Sequence, residues 1–570
     1  MTTQNKIDLY KQLSTDRKLG IENGTIPPWY TTAGLQLFKD RYLYKAANIK
    51  EQFERIANTA AKHLAPIGME EEGRQQFFKM LWEGDLSPST PVLSNMGTDR
   101  GMPVSCSGQH VPDSIDGFYS SYRETAILTK NSFGTSAYLG DIRPRGSKIS
   151  GGGKASGVLP VFKHFVQDMR DVVQGTRRGA WAGYLEIDHG DFDELADFVF
   201  AEPDDANVGW IIKDSFIVKL EAKDPDSIRR YQKAMKLKMV TGRGYFCFID
   251  KINAKRPQAY VNNNLTVKAS NLCAEITLFA DHAHTFSCVL SSLNVVNYDK
   301  WKDTKAAWWG TVFLDCVAQE FIEKAKNIPG LEAVVQFTQK GRALGLGQCG
   351  FHTYLQNNMI AFESFEAHMK SNEIASHIFE ESLEASKWLA EKFGEPEWCK
   401  GLGVRNTHRV ALPPTKSTAL LMGGVSEGIN PDPAMTYTQL TAGGETERIN
   451  PKLLEIMKER NVFSKKTITD IKDKMGSVQH VDWLSEEEKL VFRTAFEINQ
   501  TAILRMASSR GRWIDQWQSL NLFFAADEDP AWISEVHKQA FLDPNILGLY
   551  YIYTQAGVQA AKSSECLACQ

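Results

Sequence analysis

The stretch SNLCAEITL places Asn271, Cys273 and Glu275 at alternate positions. In an extended segment, side chains at i, i+2 and i+4 point to one face. That face would carry an amide, a thiol and a carboxylate. The set suits chemistry at a hydroxyl-bearing carbon: sulfur handles a hydrogen atom or proton, the carboxylate acts as base and the amide orients. On pattern alone, a buried cysteine in an ordinary strand remains the commoner reading. Further thiols are spread along the chain. Cys288 follows in FSCVLSSLN, Cys106 lies far upstream in PVSCSG, and Cys566 and Cys569 form a CxxC pair in the closing SSECLACQ. A short polar terminus cannot bury two cysteines, and exposed thiols on a mobile arm suit thiol–disulfide exchange. A zinc knuckle would need two more ligands than this tail carries.

Two other motifs give less. GSKISGGGKASG (146–157) resembles a phosphate loop but fails the Walker pattern, because Gly152 stands where the lysine belongs. A glycine-rich loop that lets a nucleotide approach its backbone stays open. DHAHTFSC offers His282, His284 and Cys288, but the spacing fits no zinc pattern and a fourth ligand is missing. A polar turn before a strand is the preferred reading there.

These residues need a scaffold. Ile49, Phe53, Ile56, Ala60 and Leu64 share one helical face. Pro160 opens a second helix carrying Phe162, Phe165, Val166, Met169 and Val173. Ile374, Ile378, Ala385, Leu389 and Phe393 mark a third over 371–393, which Gly394 stops. Ser485 and Glu488 form a capping box for a long helix through about Ala507. SFIVKL, YFCFI and CVLSSLNVVNY read as short strands. Helices alternating with strands predict an α/β domain, barrel architectures included. The tail from about Gly557 is small, polar and expected to be mobile.

Composition narrows the class. The 570 residues are 42% hydrophobic and 24% charged, with thirteen Trp and thirty Phe, which argues for a large folded core. A net charge of −4 gives no reason to expect a nucleic-acid surface. No apolar run is long enough for a membrane span, and MTTQNKIDLYKQL has no apolar signal core. Nine scattered cysteines without a signal peptide predict a reducing, cytoplasmic setting.

Taken together and in order, the motifs resemble the large catalytic α subunit of class I ribonucleotide reductase. NLCAEI is similar to that family's finger loop, and SC at 105–106 with C…SLN at 288–294 to its redox-cysteine motifs. PPTKST (413–418) resembles the diphosphate loop and GVRN (403–406) the stretch before it. DQWQSLNLF (515–523), LYYIYTQA (549–556) and the terminal CxxC complete the set.

The resemblance implies a ten-stranded α/β barrel (86–545, with α+β insertions) around a central finger loop. A helical region (1–85) would precede it, and a segment with radical-transfer tyrosines and a flexible redox tail (546–570) would follow. It implies that Cys273 is the thiyl radical that removes the ribose 3′ hydrogen. Glu275 takes the 3′-hydroxyl proton and Asn271 holds the substrate. Cys106 and Cys288 supply two electrons and end as a disulfide, which Cys566 and Cys569 reduce with thioredoxin or glutaredoxin. Thr90, Ser105, Gly134 and the loop Pro414, Thr415, Lys416, Ser417 and Thr418 match substrate contacts, although Lys416 departs from the acidic or small residue expected.

Tyr550 and Tyr551 match the paired tyrosines that receive the radical from a small β subunit. That subunit carries the metal-based radical cofactor, so no cofactor or metal is expected in this chain. Asp113, Arg143, Gln174 and Arg178 match the site for deoxynucleotide or ATP specificity effectors at a homodimer interface, with Ser150 where the family often has an effector-binding arginine. An N-terminal ATP-cone is not expected. The substrate would be a ribonucleoside diphosphate. Two alternatives stand beside this reading: an adenosylcobalamin-dependent reductase with the same thiols, and a non-catalytic nucleotide-binding regulator in which the cysteines are core residues.

Overall fold

A computed structural model describes residues 3–174, 177–203, 206–441 and 444–555, with the side chains of 3–7, 173, 174, 177, 178, 438–441 and 444–447 outside the description. Five strands, Cys106–His110, Gly134–Tyr138, Trp181–Glu186, Asn207–Ile212 and Tyr245–Phe248, lie parallel and in chain order. Helices cross between them, among them Ile115–Lys130, Val158–Asp171, Phe192–Ala201 and Pro225–Thr241. These strands are buried almost end to end, as a parallel sheet covered on both faces requires.

The sheet continues past both edges. Gly548–Leu549 pairs antiparallel with Tyr245–Phe248. At the other end, Phe286–Asn294 runs antiparallel to Cys106–His110 and also pairs with Leu86–Pro88 and, in parallel, Leu344–Cys349. That makes nine strands in one sheet among the described residues. Single bridges, Leu346 to Val410 and Leu412 to Gln518, carry the pairing on to two further segments.

The helical N-terminal region is present: Thr3–Glu22, Thr32–Leu37, Ile49–Ala61 and Glu70–Glu83. Asn48 caps the third helix, and the expected face (Ile49, Phe53, Ile56, Ala60, then Leu64 in a following 3-10 turn) is buried. The region packs on the long helix Ala306–Ala325, where Phe77 meets Trp309 and Phe313 edge-on at 5.9 and 5.2 Å. It also braces the short helix Thr90–Asn95, because Gln52 Nε2 donates to Leu93 O at 2.8 Å. No helix among the described residues is long and apolar enough to cross a membrane.

Several local expectations are corrected. The helix around Pro160 starts at Val158, and Val173 falls on a two-residue strand beyond it. The helix expected over 371–393 begins at Phe365. The capping box at Ser485 and Glu488 is present, but its helix ends at Val491 and a separate one runs Gln500–Arg510. Glu497 accepts from Thr494 N and Asn499 caps the second helix, so local hydrogen bonds break the run. SFIVKL lies in the helix Asp214–Glu221. Phe216 and Ile217 are buried while Val218 is 64% exposed, a helical rather than alternating pattern. CVLSSLN is a strand, but VVNY turns into helix.

Candidate active site

Asn271, Cys273 and Glu275 do not sit on a strand. Residues 271–274 form a turn in which Ala274 N–H donates to Asn271 O at 3.2 Å, and Ala274 takes a left-handed φ of 63°. The three side chains therefore meet by chain reversal instead of pleat. All three are buried at 1% exposure or less.

The Asn271 side chain organises the turn. Its Oδ1 accepts from the backbone N–H groups of Glu275 and Ile276, each at 3.1 Å. With the carbonyl end so held, Nδ2 faces the opposite way and donates to Cys106 Sγ at 3.5 Å. The Asn271 backbone carbonyl accepts from Tyr184 OH at 2.5 Å. Tyr184 reaches it by lying across Gly209, where an added Cβ would fall 2.2 Å from the ring. Glycine at 209 is thus required by a close approach that fixes the finger.

Cys106 opens one strand and Cys288 lies on its antiparallel neighbour, and the two are register partners. Both are free thiols and both are buried. Cys288 Sγ accepts from Gln516 Nε2 at 3.2 Å. Gln516 is fixed in turn by Leu344 O at 2.9 Å and Thr277 N at 3.3 Å. Burial pushes both thiols far up, and the neighbouring Glu275 carboxylate pushes Cys106 further. Both therefore rest as neutral thiols, able to donate a proton or a hydrogen atom.

Burial also lifts the Glu275 carboxyl, to about 7, against hydrogen bonds that favour its charge. Ser519 Oγ lies 2.8 Å from Cys273 O and 3.3 Å from Glu275 Oε2. Glu275 Oε1 is buried without a hydrogen-bond partner, and so is the hydroxyl of Ser105 beside Cys106. Two orphaned polar atoms around the same thiols mark a place where a polar ligand would complete the bonding.

The other expected substrate residues are placed as follows. Thr90 starts its short helix and its hydroxyl lies 3.2 Å from Tyr42 OH. Gly134 is the register partner of Cys106, and its N–H is already given to Ser105 O at 2.7 Å. Pro414 precedes Thr415, which has a φ of 55° and caps the helix Lys416–Leu421. Thr415 Oγ1 accepts from Gly428 N at 2.7 Å and Thr418 Oγ1 donates to Thr415 O at 3.2 Å, so these two hydroxyls shape the loop. The GVRN stretch has an internal role: Arg405 and Asn406, with Arg342, surround the buried Asp315 carboxylate at 2.8–3.0 Å.

Tyr550 and Tyr551 pack ring to ring with centroids 4.0 Å apart, Tyr550 buried and Tyr551 half-buried. Tyr550 N donates to Leu520 O, next to Ser519 and hence beside the finger. Of the expected effector residues, Arg143 Nε pairs with Asp113 Oδ2 at 2.5 Å. Gln174 and Arg178 lie on the small ribbon of Val173–Gln174 with Arg177–Arg178, their side chains outside the described ones. Cys566 and Cys569 lie outside the described residues. The residues 282–288 gather no metal site: His284 Nδ1 bonds Asp281 at 2.9 Å and Cys288 faces Gln516. Gln516, Ser519 and Tyr184 were not singled out from sequence, although the first two lie within DQWQSLNLF.

Comparison with known proteins shows the family. The family model for the ribonucleotide reductase barrel domain matches residues 104–228, 226–401 and 396–552, and that for the ribonucleotide reductase all-alpha domain matches 29–101. The ribonucleoside-diphosphate reductase large subunit of Invertebrate iridescent virus 3 is 29% identical over 92% of this chain and 93% of its own. That of Vaccinia virus is 27% identical over 84% and 72%. Among solved structures, the Actinobacillus ureae class Id ribonucleotide reductase alpha subunit superposes with a TM-score of 0.86, at 35% identity over 95% of this chain and 99% of that one. The chain therefore belongs to the ribonucleotide reductase family, as a large, catalytic subunit of the class I kind.

Proposed function

We propose that this subunit reduces ribonucleoside diphosphates to deoxyribonucleotides at the finger turn, with the residue roles assigned as follows. Cys273, as a thiyl radical, takes the 3′ hydrogen of the ribose. Glu275 accepts the 3′-hydroxyl proton. The 2′-hydroxyl then leaves as water, using a proton from the Cys106/Cys288 pair. The same two thiols supply two electrons and become a disulfide, and Cys273 returns the 3′ hydrogen. The balance is one ribonucleotide and two thiols giving one deoxyribonucleotide, one disulfide and one water.

The observation that carries this reading is the Asn271 turn. One amide bonds Cys106 while its carbonyl end orders the loop bearing Cys273 and Glu275. Neutral thiols and a carboxyl lifted to about 7 suit these roles near neutral pH. Thr90, Ser105, Gly134 and the 414–418 loop would bind the substrate, the backbone of the loop holding the diphosphate. Asp113, Arg143, Gln174 and Arg178 would bind a deoxynucleotide or ATP effector in a homodimer. The radical would arrive from a separate small subunit bearing a metal-based radical cofactor, by way of Tyr551 and Tyr550, and thioredoxin or glutaredoxin would reduce Cys566 and Cys569. The adjoining tyrosines favour this supply over adenosylcobalamin, which needs no such pair.

The test is direct. The reduced chain is mixed with its small subunit, a ribonucleoside diphosphate and dithiothreitol, and deoxy product is scored. Product that needs the small subunit supports the reading; product from this chain with adenosylcobalamin alone overturns it.

A further inference from the structure

We propose that Gln516 is a positioning residue that makes Cys288 the departing sulfur, so that the Cys106–Cys288 disulfide is opened by attack on Cys106. The inference rests on the redox role given to the two thiols above, and it gives them unequal parts.

Gln516 is 1% exposed, and its amide has one orientation. Thr277 N can only donate and Leu344 O can only accept, so Oε1 faces the first and Nε2 the second. One hydrogen of the NH₂ group goes to Leu344 O, and the other points at Cys288 Sγ, 3.2 Å away. The flanking chain is held as well: Trp517 N donates to Glu275 O and Gln518 Nε2 to Ala507 O. A donor is thus aimed at this sulfur before any charge develops on it. A methionine at 516 would fill similar space, so packing alone does not call for the amide.

Access separates the two sulfurs in the same sense. A thiolate attacks along the S–S axis, from behind the sulfur that it hits. Behind Cys288 stands the strand Leu344–Cys349: a Cβ on Gly345 would fall 3.1 Å from Cys288 Sγ. Behind Cys106 the next strand sets Gly134 in register, with no side chain in the way. Cys288 is 0% exposed and Cys106 is 5% exposed, beside the unpartnered Ser105 hydroxyl. Burial disfavours charge on both sulfurs. Beyond burial, Glu275 opposes charge on Cys106 more than the Asn271 amide favours it, whereas at Cys288 the Gln516 amide outweighs Glu275. The better-stabilised thiolate leaves faster.

The exchange balances. One thiol of an entering dithiol loses its proton and bonds to Cys106 Sγ. The Cys106–Cys288 bond breaks, and its electron pair goes to Cys288 Sγ, which Gln516 holds until the proton reaches it. The second thiol then attacks the first, and Cys106 leaves with the remaining proton. One disulfide and two thiols give two thiols and one disulfide.

The experiment uses the full chain with Cys566→Ser and Cys569→Ser, so that no internal dithiol competes. It is taken through one turnover with the small subunit and substrate, treated with 2-mercaptoethanol, capped with N-ethylmaleimide and mapped by peptide mass spectrometry. Mercaptoethanol is expected on Cys106 and the maleimide on Cys288; the reverse, or an even mixture, overturns the assignment. Gln516→Met should slow reduction by dithiothreitol about ten- to a hundredfold. Its equilibrium with dithiothreitol redox buffers should stay within about twofold, because both sulfurs end as thiols. Gln516→Glu has the same length and donates only when protonated, so its rate relative to the parent chain should fall as pH rises. An unchanged rate in the methionine variant overturns the role of Gln516, and so does a slowed rate with a shifted equilibrium, which marks general distortion. No disulfide after turnover overturns the redox role of the pair itself.

Discussion

Cys106 and Cys288 are direct register partners on antiparallel strands, each with an amide donor on its sulfur. Directly opposite residues of such a pair bring their Cβ atoms to about 4.5–5.5 Å, close to the span of a disulfide. Strand pairing has thus set two thiols side by side from positions far apart in the chain. A single turnover without external reductant is expected to remove two titratable thiols per chain. Cys106→Ser and Cys288→Ser should each abolish that loss and stop multiple turnover. Thiol counting before and after substrate checks it; an unchanged count in the wild type with product formed would exclude the pair as reductant.

Cys273→Ser should abolish turnover while fold and nucleotide binding stay near normal. The hydroxyl is nearly isosteric, but its stronger O–H bond makes an oxygen radical much harder to form. Rates should fall below about a thousandth of wild type, a barrier increase of roughly 4 kcal/mol or more. Product assays with parallel binding isotherms decide it, and substantial product from the serine variant would move the radical elsewhere.

Glu275 gives a pH prediction. As a base it must be ionised, and burial has lifted it to about 7. The ratio kcat/KM should therefore rise with pH through about 7, and this limb should vanish in Glu275→Gln. Stability runs the other way. A carboxyl raised by folding favours the folded state most below its unfolded value, and that contribution is lost as pH rises through 7. Relative to wild type, Glu275→Gln should thus gain stability above neutrality. Rate profiles and melting curves from pH 5 to 9 test both signs.

Asp315 anchors the GVRN stretch away from the chemistry. Its carboxylate is buried between Arg342 and Arg405 and takes a third bond from Asn406. The two guanidinium groups hold it well below the usual carboxylate range despite burial. Asp315→Asn should cost about 3–5 kcal/mol of stability, because two buried cations lose their partner. Denaturant unfolding measures this; a loss below 1 kcal/mol would mean the network is loosely solvated.

The terminal thiols give a separate prediction. Replacing Cys566 and Cys569 together by serine should end multiple turnover with thioredoxin. A pre-reduced enzyme should keep its single-turnover burst, and dithiothreitol, small enough to enter, should sustain slow turnover. Undiminished thioredoxin-driven rates would refute the shuttle.

Sequence by itself determined the parts that depend on near neighbours. The helix face through Ile49, Phe53 and Ile56, the capping box at Ser485 and the strand within YFCFI, which ends at Phe248, all follow from local spacing and local hydrogen bonds. The finger residues and the separated cysteines were legible because their types and order resemble a known family. What tertiary structure decided are meetings across long stretches of chain. Alternation at 271–275 suggested a strand, yet the segment turns, because Asn271 bonds Glu275 and Ile276 locally while Cys106 and Tyr184 hold it from other strands. Gln516 against Cys288, Ser519 against Glu275 and Tyr245 against Tyr551 span more than two hundred residues each, and no local period encodes them. Sheet register fixes such pairs, and register is set by the burial of whole strands at once.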